Sequence, residues 1–457
     1  MTAKFFIFNQ MIQRKDLTEE QEAAFQYILN FLKSGKRQML LGGYAGTGKT
    51  TLIRVLLDHL DKGFASATCT APTNEAVRVI AKLTRRKKFH QTIYSLLGLA
   101  LVQEDDKPPI LLPKSDSKLG QYDVVIIDEA SMIQEELFDM IQMELNHHSH
   151  IQVIYIGDDA QLPPVKDEGK DSKVFTLTNT VKLVEVQRTA KENPIINIVT
   201  DMRNNLESSK DVFEYKTVMN DAKTMGVVFY EDRDEYLNLI YEDFKSDNYK
   251  EDSNFVRVLA YTNKTVSILN SMIRKQIFDV EDLQEYEKGE NLIVDEPIVE
   301  NAGQTILFTV GERLKVKDVS LQEDPEHAIK YWRLRVENYE ESEPLRVRRN
   351  IKVVHKNYIS NYRFMLTKYA NEAKEKLRNS KNKVPKRIAW HAYFGFKNRF
   401  SWVKYSYATT VHKSQGSTFQ NVYAINADCN KLHWNHVERN KLKYVAFTRP
   451  SNLLRII

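Results

Sequence analysis

Residues 37–60 constrain the fold more than any other part of the chain. RQMLLGG is a short apolar run ending in two glycines, YAGTGK turns the chain, and TTLIRVLLDHL continues as an amphipathic helix. A strand that runs through a glycine turn into a helix, repeated as strands alternating with helices, means a parallel, doubly wound sheet. The turn itself, GYAGTGKT (43–50), has the spacing of a phosphate-binding loop. Glycines let consecutive backbone N–H groups face phosphate oxygens, and the helix start favours negative charge. Gly43, Ala45, Gly46, Thr47, Gly48 and Thr51 form the cradle, Lys49 reaches the β/γ-phosphates, and Thr50 suits Mg²⁺. By average composition, a chance match in a chain of this length arises on the order of once in a hundred.

The same alternation continues. SATCTA (66–71), DVVIID (123–128) and IQVIYIG (151–157) read as buried strands, separated by helices over 74–83 and 135–145. An earlier helix starts near Asp16-Leu17-Thr18, because Thr18 and Gln21 have capping-box spacing. ALVQEDDKPPILLPK interrupts the pattern and predicts a small hairpin inserted over 99–120. A second α/β region starts near Pro194, with a strand at 256–262, a helix at 264–278, a strand run over 421–428, a helix at 439–448 and a last strand at 453–457. Between them, WRLRV (332–336) and LRVRRNIKVV (345–354) alternate apolar and charged residues, as antiparallel strands with one wet face do. A charged helix follows at 364–379. The expected fold is α/β: two doubly wound parallel sheets, each carrying an insertion.

At 457 residues, two to four domains are expected. With 66 basic and 61 acidic residues the net charge is only +5, so any nucleic-acid site must be a local groove. The 22 Tyr and 21 Phe supply rings for stacking as well as for core. Only Cys69 and Cys429 occur, which excludes a disulfide scaffold or a cysteine-based zinc site and points to a reducing compartment. No apolar run approaches the roughly 20 residues that span a bilayer, and a cytoplasmic protein is expected.

Further chemistry sits at strand ends. IIDEAS (126–131) closes a strand with two acids, Asp128 for Mg²⁺ and Glu129 to activate water. GDDAQLPPV (157–165) closes the next with Gln161, either a γ-phosphate sensor or part of a plain Asp-Asp/Pro-Pro turn. Arg188 and Arg449 are candidates to reach a transferring phosphoryl group, although an isolated arginine is usually a solvated surface residue. His147, His148, His150, His433 and His436 lack partners at zinc spacing, and His412 with Ser414 lacks a nucleophile elbow.

The order of the motifs says more than any one of them. LTEEQEAAF, GYAGTGKTT, APTNEAV, QTIYSLLG, IIDEAS, GDDAQLPPV, LVEVQRT, LAYTNKTVSILN, YATTVHKSQGSTF and YVAFTR follow one another as in superfamily 1 helicases. The chain resembles the RecD-like branch and, within it, the Dda-type DNA helicases of tailed phages, over essentially its whole length. The resemblance implies an ATP-dependent motor that moves 5′-to-3′ on single-stranded DNA and separates duplex, in phage replication, recombination or repair. It assigns Gln21 to adenine, Gln161 to the γ-phosphate, Arg188 and Arg449 to paired arginine fingers, and Gln415 and Gly416 to the ATP cleft. It assigns Pro72, Thr73, Asn74, Thr92, Tyr94, Thr410, His412 and Lys413 to the DNA track.

The implied domains are a first motor (1–98 and 121–193), a strand-separating pin (99–120), a second motor (194–296 and 391–457) and an SH3-like insertion with a helical hook (297–390). Implied partners are single-stranded DNA and duplex junctions, with a single-strand-binding protein or replisome component besides, and the chain is expected to be a monomer. Asn74 and Tyr94 stand where the family commonly has histidine, and both sites concern the DNA track.

Overall fold

The computed structural model describes residues 13–63, 65–84, 91–102, 110–164, 167, 169–186, 193–209, 215–280, 282–300, 305–338, 346–379 and 383–457. It forms two compact units, one of Met1–Tyr236, Asn254–Asn263 and Thr410–Ile457, the other of Leu237–Ser253 and Lys264–Thr409. No described helix is long and apolar enough to cross a membrane.

The first unit holds a five-stranded parallel sheet in the order Ala67–Thr70, Val124–Ile127, Gln152–Gly157, Gln38–Gly43, Thr180–Leu183. Both faces are covered, which is why its strands read as unbroken apolar runs. Period-two alternation sorts them: Met39, Leu41, Val124 and Ile126 pack with Phe25, Ile28, Leu52 and Leu56 on one side. Leu40, Val125 and Ile127 pack with Ile93, Leu137 and Ile141 on the other. The first helix, Glu19–Lys33, starts at Thr18 with the capping box its sequence predicts, Gln21 answering the cap. The expected hairpin forms as Leu99–Val102 against Ile110–Pro113; its tip, 103–109, lies outside the described residues.

The same unit contains a second sheet in which Val256–Ala260, Phe419–Ala424, Pro450–Ile456 and Gly226–Phe229 run parallel, with Val218–Met219 antiparallel at the edge. Its core gathers Leu259, Val422, Leu454, Val445 and Phe447. The 421–428 run is not all strand. It ends at Ala424, and Asn426–Cys429 forms a helical turn. The cause is Asp428, whose buried carboxylate accepts the Tyr261 and Thr262 N–H groups at 2.8 and 2.7 Å.

The second unit is built on an antiparallel sheet in the order Arg348–Val354, Ile329–Glu337, Arg313–Asp324, Asn291–Val294, Val403–Tyr405. Its strands reach beyond both ends of the 297–390 interval. Leu292, Leu314, Val316, Leu334, Val336 and Ile351 fill its inner face. Helices Ile359–Asn379 and Lys383–Lys397 pack through Tyr362 and Phe396, with Phe400 just beyond the second, onto Tyr331 and Val354. Asp324, Glu326 and His327 converge closely enough to hold an ion. Their ligand atoms are already committed, however, to Arg399 and, through His327, to the Tyr369 hydroxyl. This cluster therefore reads as a clamp between the turn joining Arg313–Asp324 to Ile329–Glu337 and the helical segment.

Glu290 is fully buried beneath the chain that leads into residues 407–419. It accepts from the Arg274 guanidinium at 2.7–3.0 Å and from the Tyr407 hydroxyl at 2.8 Å. Glu290→Ala strands a buried cation, so a loss of about 3–5 kcal/mol is expected in denaturant unfolding of the chain. A change under 1 kcal/mol would show that water reaches Arg274 instead.

Candidate nucleotide and nucleic-acid site

The loop between Gly43 and Lys49 is shaped by its own backbone. Gly46 and Gly48 take φ of 79° and 76°, where a side chain is strained, and Gly48 caps the helix Lys49–Lys62. The Lys49 ammonium donates to the Gly43 and Tyr44 carbonyls at 2.8 and 2.9 Å. Thr47 Oγ1 donates to the Tyr44 carbonyl, and the buried Gln21 amide donates to the Thr47 carbonyl at 3.0 Å. Gln21 thus ties the first helix to the loop as well as capping it. Ala45, Thr50 and Thr51 each keep part of their surface.

Asp128 and Glu129 follow the strand Val124–Ile127 beside this loop. The Glu129 amide donates to Asp128 Oδ1 at 2.8 Å, and Glu129 has φ of 52°, an uncommon conformation for a residue with a side chain. Such strain is held only where the surroundings over-determine it, and functional sites are where it collects. Burial pushes the Asp128 carboxyl up to about 7, and the neighbouring Glu129 adds to the shift. Burial, helped by Arg203 and Arg449, lowers the Lys49 ammonium to about 8 against the pull of Asp128 and Glu129. Lys49, Asp128, Glu129 and Arg449 therefore share one electrostatic environment although they lie up to 400 positions apart in sequence.

Arg449 is buried, and its guanidinium donates to the Val445 and Ser417 carbonyls and to Thr448 Oγ1. Burial lowers its proton affinity, and Glu129 is the leading charge that opposes this. Gln161 is also buried, and its side-chain Oε1 has no hydrogen-bond partner among the described residues. Arg188 lies outside the described residues.

The proposed track residues fall in two groups. Pro72, Thr73 and Asn74 lead into the helix Asn74–Thr84, where Thr73 Oγ1 accepts the Ala76 amide at 3.2 Å. Thr92 caps the short helix Ile93–Leu96 through the Ser95 amide, and Ala71 bridges Thr92. Tyr94 is half-buried against the core of the first sheet, and burial pushes its hydroxyl up to about 12. In the second group, Thr410 Oγ1 accepts the Lys413 amide, and the His412 ring lies 6.1 Å from that of Tyr261. Ser414 Oγ donates to the Val411 carbonyl at 2.7 Å, so it is spent on its own turn.

Gln415 reaches the Leu162 carbonyl at 3.5 Å. Gly416, at φ of 77°, packs so closely that an added Cβ would lie 3.3 Å from Ala76 Cβ. The two groups of track residues are therefore neighbours, because the turn after Lys413 is seated on the start of the helix after Asn74.

Sequence reasoning missed Arg203, Asp158 and Tyr444. Asp158 was visible only as part of a turn, and Arg203 and Tyr444 carry no motif of their own. In the structure, Arg203 pairs with Asp158 and Asp159, and its guanidinium lies 4.1 Å from the centre of the Tyr44 ring.

Three family descriptions match successive parts of the chain: an AAA domain over residues 16–217, a Dda helicase SH3 domain over 283–405, and a UvrD-like helicase C-terminal domain over 405–457. Among curated proteins, the chain is 29% identical over 458 residues to the ATP-dependent DNA helicase dda of Enterobacteria phage T4, covering 95% of this chain and 97% of that one. It is 30% identical over 183 residues to the ATP-dependent RecD2 DNA helicase of Deinococcus radiodurans, covering 40% of this chain and 23% of that one. Among solved structures, it shares its fold with a Pif1 helicase described at forked double-stranded DNA, at a TM-score of 0.51 and 17% identity over 96% of this chain and 92% of that one. Pif1 from Candida albicans aligns at a TM-score of 0.50 and 16% identity over 96% and 94%. In its motif order, its two largely parallel sheets and its matched SH3 domain, the chain is similar over nearly its whole length to the superfamily 1 helicases of the Dda, Pif1 and RecD-like group.

Proposed function

We propose that this chain is an ATP-dependent DNA helicase that moves 5′-to-3′ on single-stranded DNA and separates duplex at junctions. The observation that carries the reading is the shared environment of Lys49, Asp128, Glu129 and Arg449, supported by the end-to-end similarity to the phage T4 helicase. Residues 1–98 with 121–193 and residues 194–296 with 391–457 would act as the two motors, with 99–120 as the pin and 297–390 as the SH3-like insertion. The pathway would be phage replication, recombination or repair, in the host cytoplasm and with the chain acting as a monomer.

The residues present fit a magnesium nucleotide. Gln161 offers a buried oxygen with no hydrogen-bond partner among the described residues, and an added Cβ at Gly43 would lie 3.1 Å from Lys49 Cδ and Thr47 Oγ1, so the cradle is already filled by functional side chains. Thr50 and Asp128 would hold Mg²⁺, which when bound neutralises phosphate charge. Lys49 exchanges its two carbonyl partners for phosphate oxygens. Glu129 orients and deprotonates the attacking water, Gln161 aligns it, and Arg449 with Arg188 meets the charge that develops on the γ-phosphoryl group. Gln21 reads the adenine, and Gln415 and Gly416 sense occupancy while packed on the DNA-holding turn.

Single-stranded DNA would lie across Pro72, Thr73, Asn74, Thr92 and Tyr94 on one motor and Thr410, His412 and Lys413 on the other. Their small hydroxyl and amide donors suit sugar and phosphate, so little sequence preference is expected. Single-stranded DNA should raise ATP turnover at least about tenfold, because the track and the Gln415–Gly416 turn are one segment. A steady-state rate that is the same with and without DNA would favour a loader that uses ATP only as a switch.

A further inference from the structure

Arg203 lies on the helix Pro194–Asn204, and its side chain keeps only 9% of its surface. It forks onto two adjacent carboxylates: one guanidinium nitrogen donates to Asp158, which is 1% exposed, and the other to Asp159. Asp158 is shared further. Its Oδ2 accepts the Tyr444 hydroxyl at 2.6 Å and its Oδ1 accepts the Ala160 amide at 3.1 Å. The backbone Gln161 N–H then donates to the Asp158 carbonyl at 3.1 Å, which sets the turn that presents Gln161, whose Oε1 has no hydrogen-bond partner among the described residues.

On its other side the Arg203 guanidinium covers the Tyr44 ring at 4.1 Å, and the Tyr44 carbonyl holds both Lys49 and Thr47. The Tyr444 hydroxyl also accepts from the Arg203 guanidinium at 3.5 Å. One buried cation therefore touches the loop that carries Lys49 and the turn that carries Gln161, two segments more than 100 residues apart.

We propose that Arg203, with Asp158 and Tyr444, is a positioning unit that locks the phosphate loop to the Gln161 turn, so that Lys49 and Gln161 meet the same phosphoryl group in register. This rests on the ATPase reading above. A structural ion pair alone would need neither the stacked ring nor the Tyr444 hydroxyl on Asp158. Planarity matters too, because a lysine can pair with a carboxylate but cannot fork onto two of them while lying flat on a ring.

The test is steady-state ATP hydrolysis at saturating single-stranded DNA for Tyr444→Phe and Arg203→Lys, with melting temperatures measured alongside. Lys182→Ala is the control, since Lys182 pairs with Asp159 at the surface and touches no other part of the unit. Tyr444→Phe loses two hydrogen bonds at nearly constant volume, so kcat should fall about tenfold with KM for ATP within about twofold and the melting temperature unchanged. Arg203→Lys should lose at least as much kcat, and Lys182→Ala should match the wild type. Wild-type kcat in Tyr444→Phe would overturn the proposal, as would a raised KM at full kcat, which would mean affinity and not register. A wild-type chain without any ATPase would instead sink the underlying reading.

Discussion

Lys49→Ala should abolish ATP hydrolysis and leave single-strand binding within about threefold of wild type. Lys49 is the cation at the centre of the loop, and its ammonium now rests on two carbonyls that hold it ready for exchange. Removing a preorganised cation from a site where phosphoryl charge develops costs on the order of 4 kcal/mol, about a thousandfold in rate. The DNA-facing candidates Thr73, Thr92, Thr410 and His412 take their positions from other segments, through the Ala76, Ser95 and Lys413 amides and the Tyr261 ring. Phosphate release from the purified variant, beside fluorescence-anisotropy binding of an oligonucleotide, reads both halves. Retained turnover would remove Lys49 from the site.

Glu129→Gln should be nearly as severe by a different route. The side chain keeps its size and its place on a strained backbone, so the loop and the nucleotide affinity should survive. What is lost is the base, a contribution of roughly a hundredfold to ten-thousandfold in kcat. Pre-steady-state traces should show ATP bound at the wild-type level with no burst of phosphate. If kcat falls less than about threefold, another group takes the proton and Glu129 only shapes the electrostatics of Lys49 and Arg449.

The first sheet was legible because it is covered on both faces. Runs such as DVVIID and IQVIYIG had no other use than as buried strands, and Thr18 with Gln21 announced a helix start. The alternation of WRLRV likewise predicted a wet-faced antiparallel sheet. The 421–428 run misled at its end, because what stops that strand is a long-range bond from Asp428 to the Tyr261 and Thr262 amides. No local pattern encodes such a bond.

The candidate site divides in the same way. Loop and strand-end residues carry their chemistry in their spacing, so Lys49, Asp128 and Glu129 could be read directly. Arg203 could not, since one arginine among 66 basic residues becomes distinctive only when Tyr44, Asp158 and Tyr444 close around it. The 407–419 stretch lies between these cases. Its polar residues suggested a ligand, but only the packing of Gly416 on Ala76 showed which neighbour it works beside.

The competing enzyme readings are a translocase that strips bound proteins without opening duplex and a motor of 3′-to-5′ polarity. The resemblance to Dda-type helicases implies 5′-to-3′ movement with strand separation. One measurement separates all three: unwinding of matched duplexes that carry a single-stranded tail at the 5′ or the 3′ end, each with and without ATP. Strand separation of the 5′-tailed duplex alone, and only with ATP, is the expected result. Unwinding confined to the 3′-tailed duplex, or ATP turnover with neither duplex opened, would contradict it.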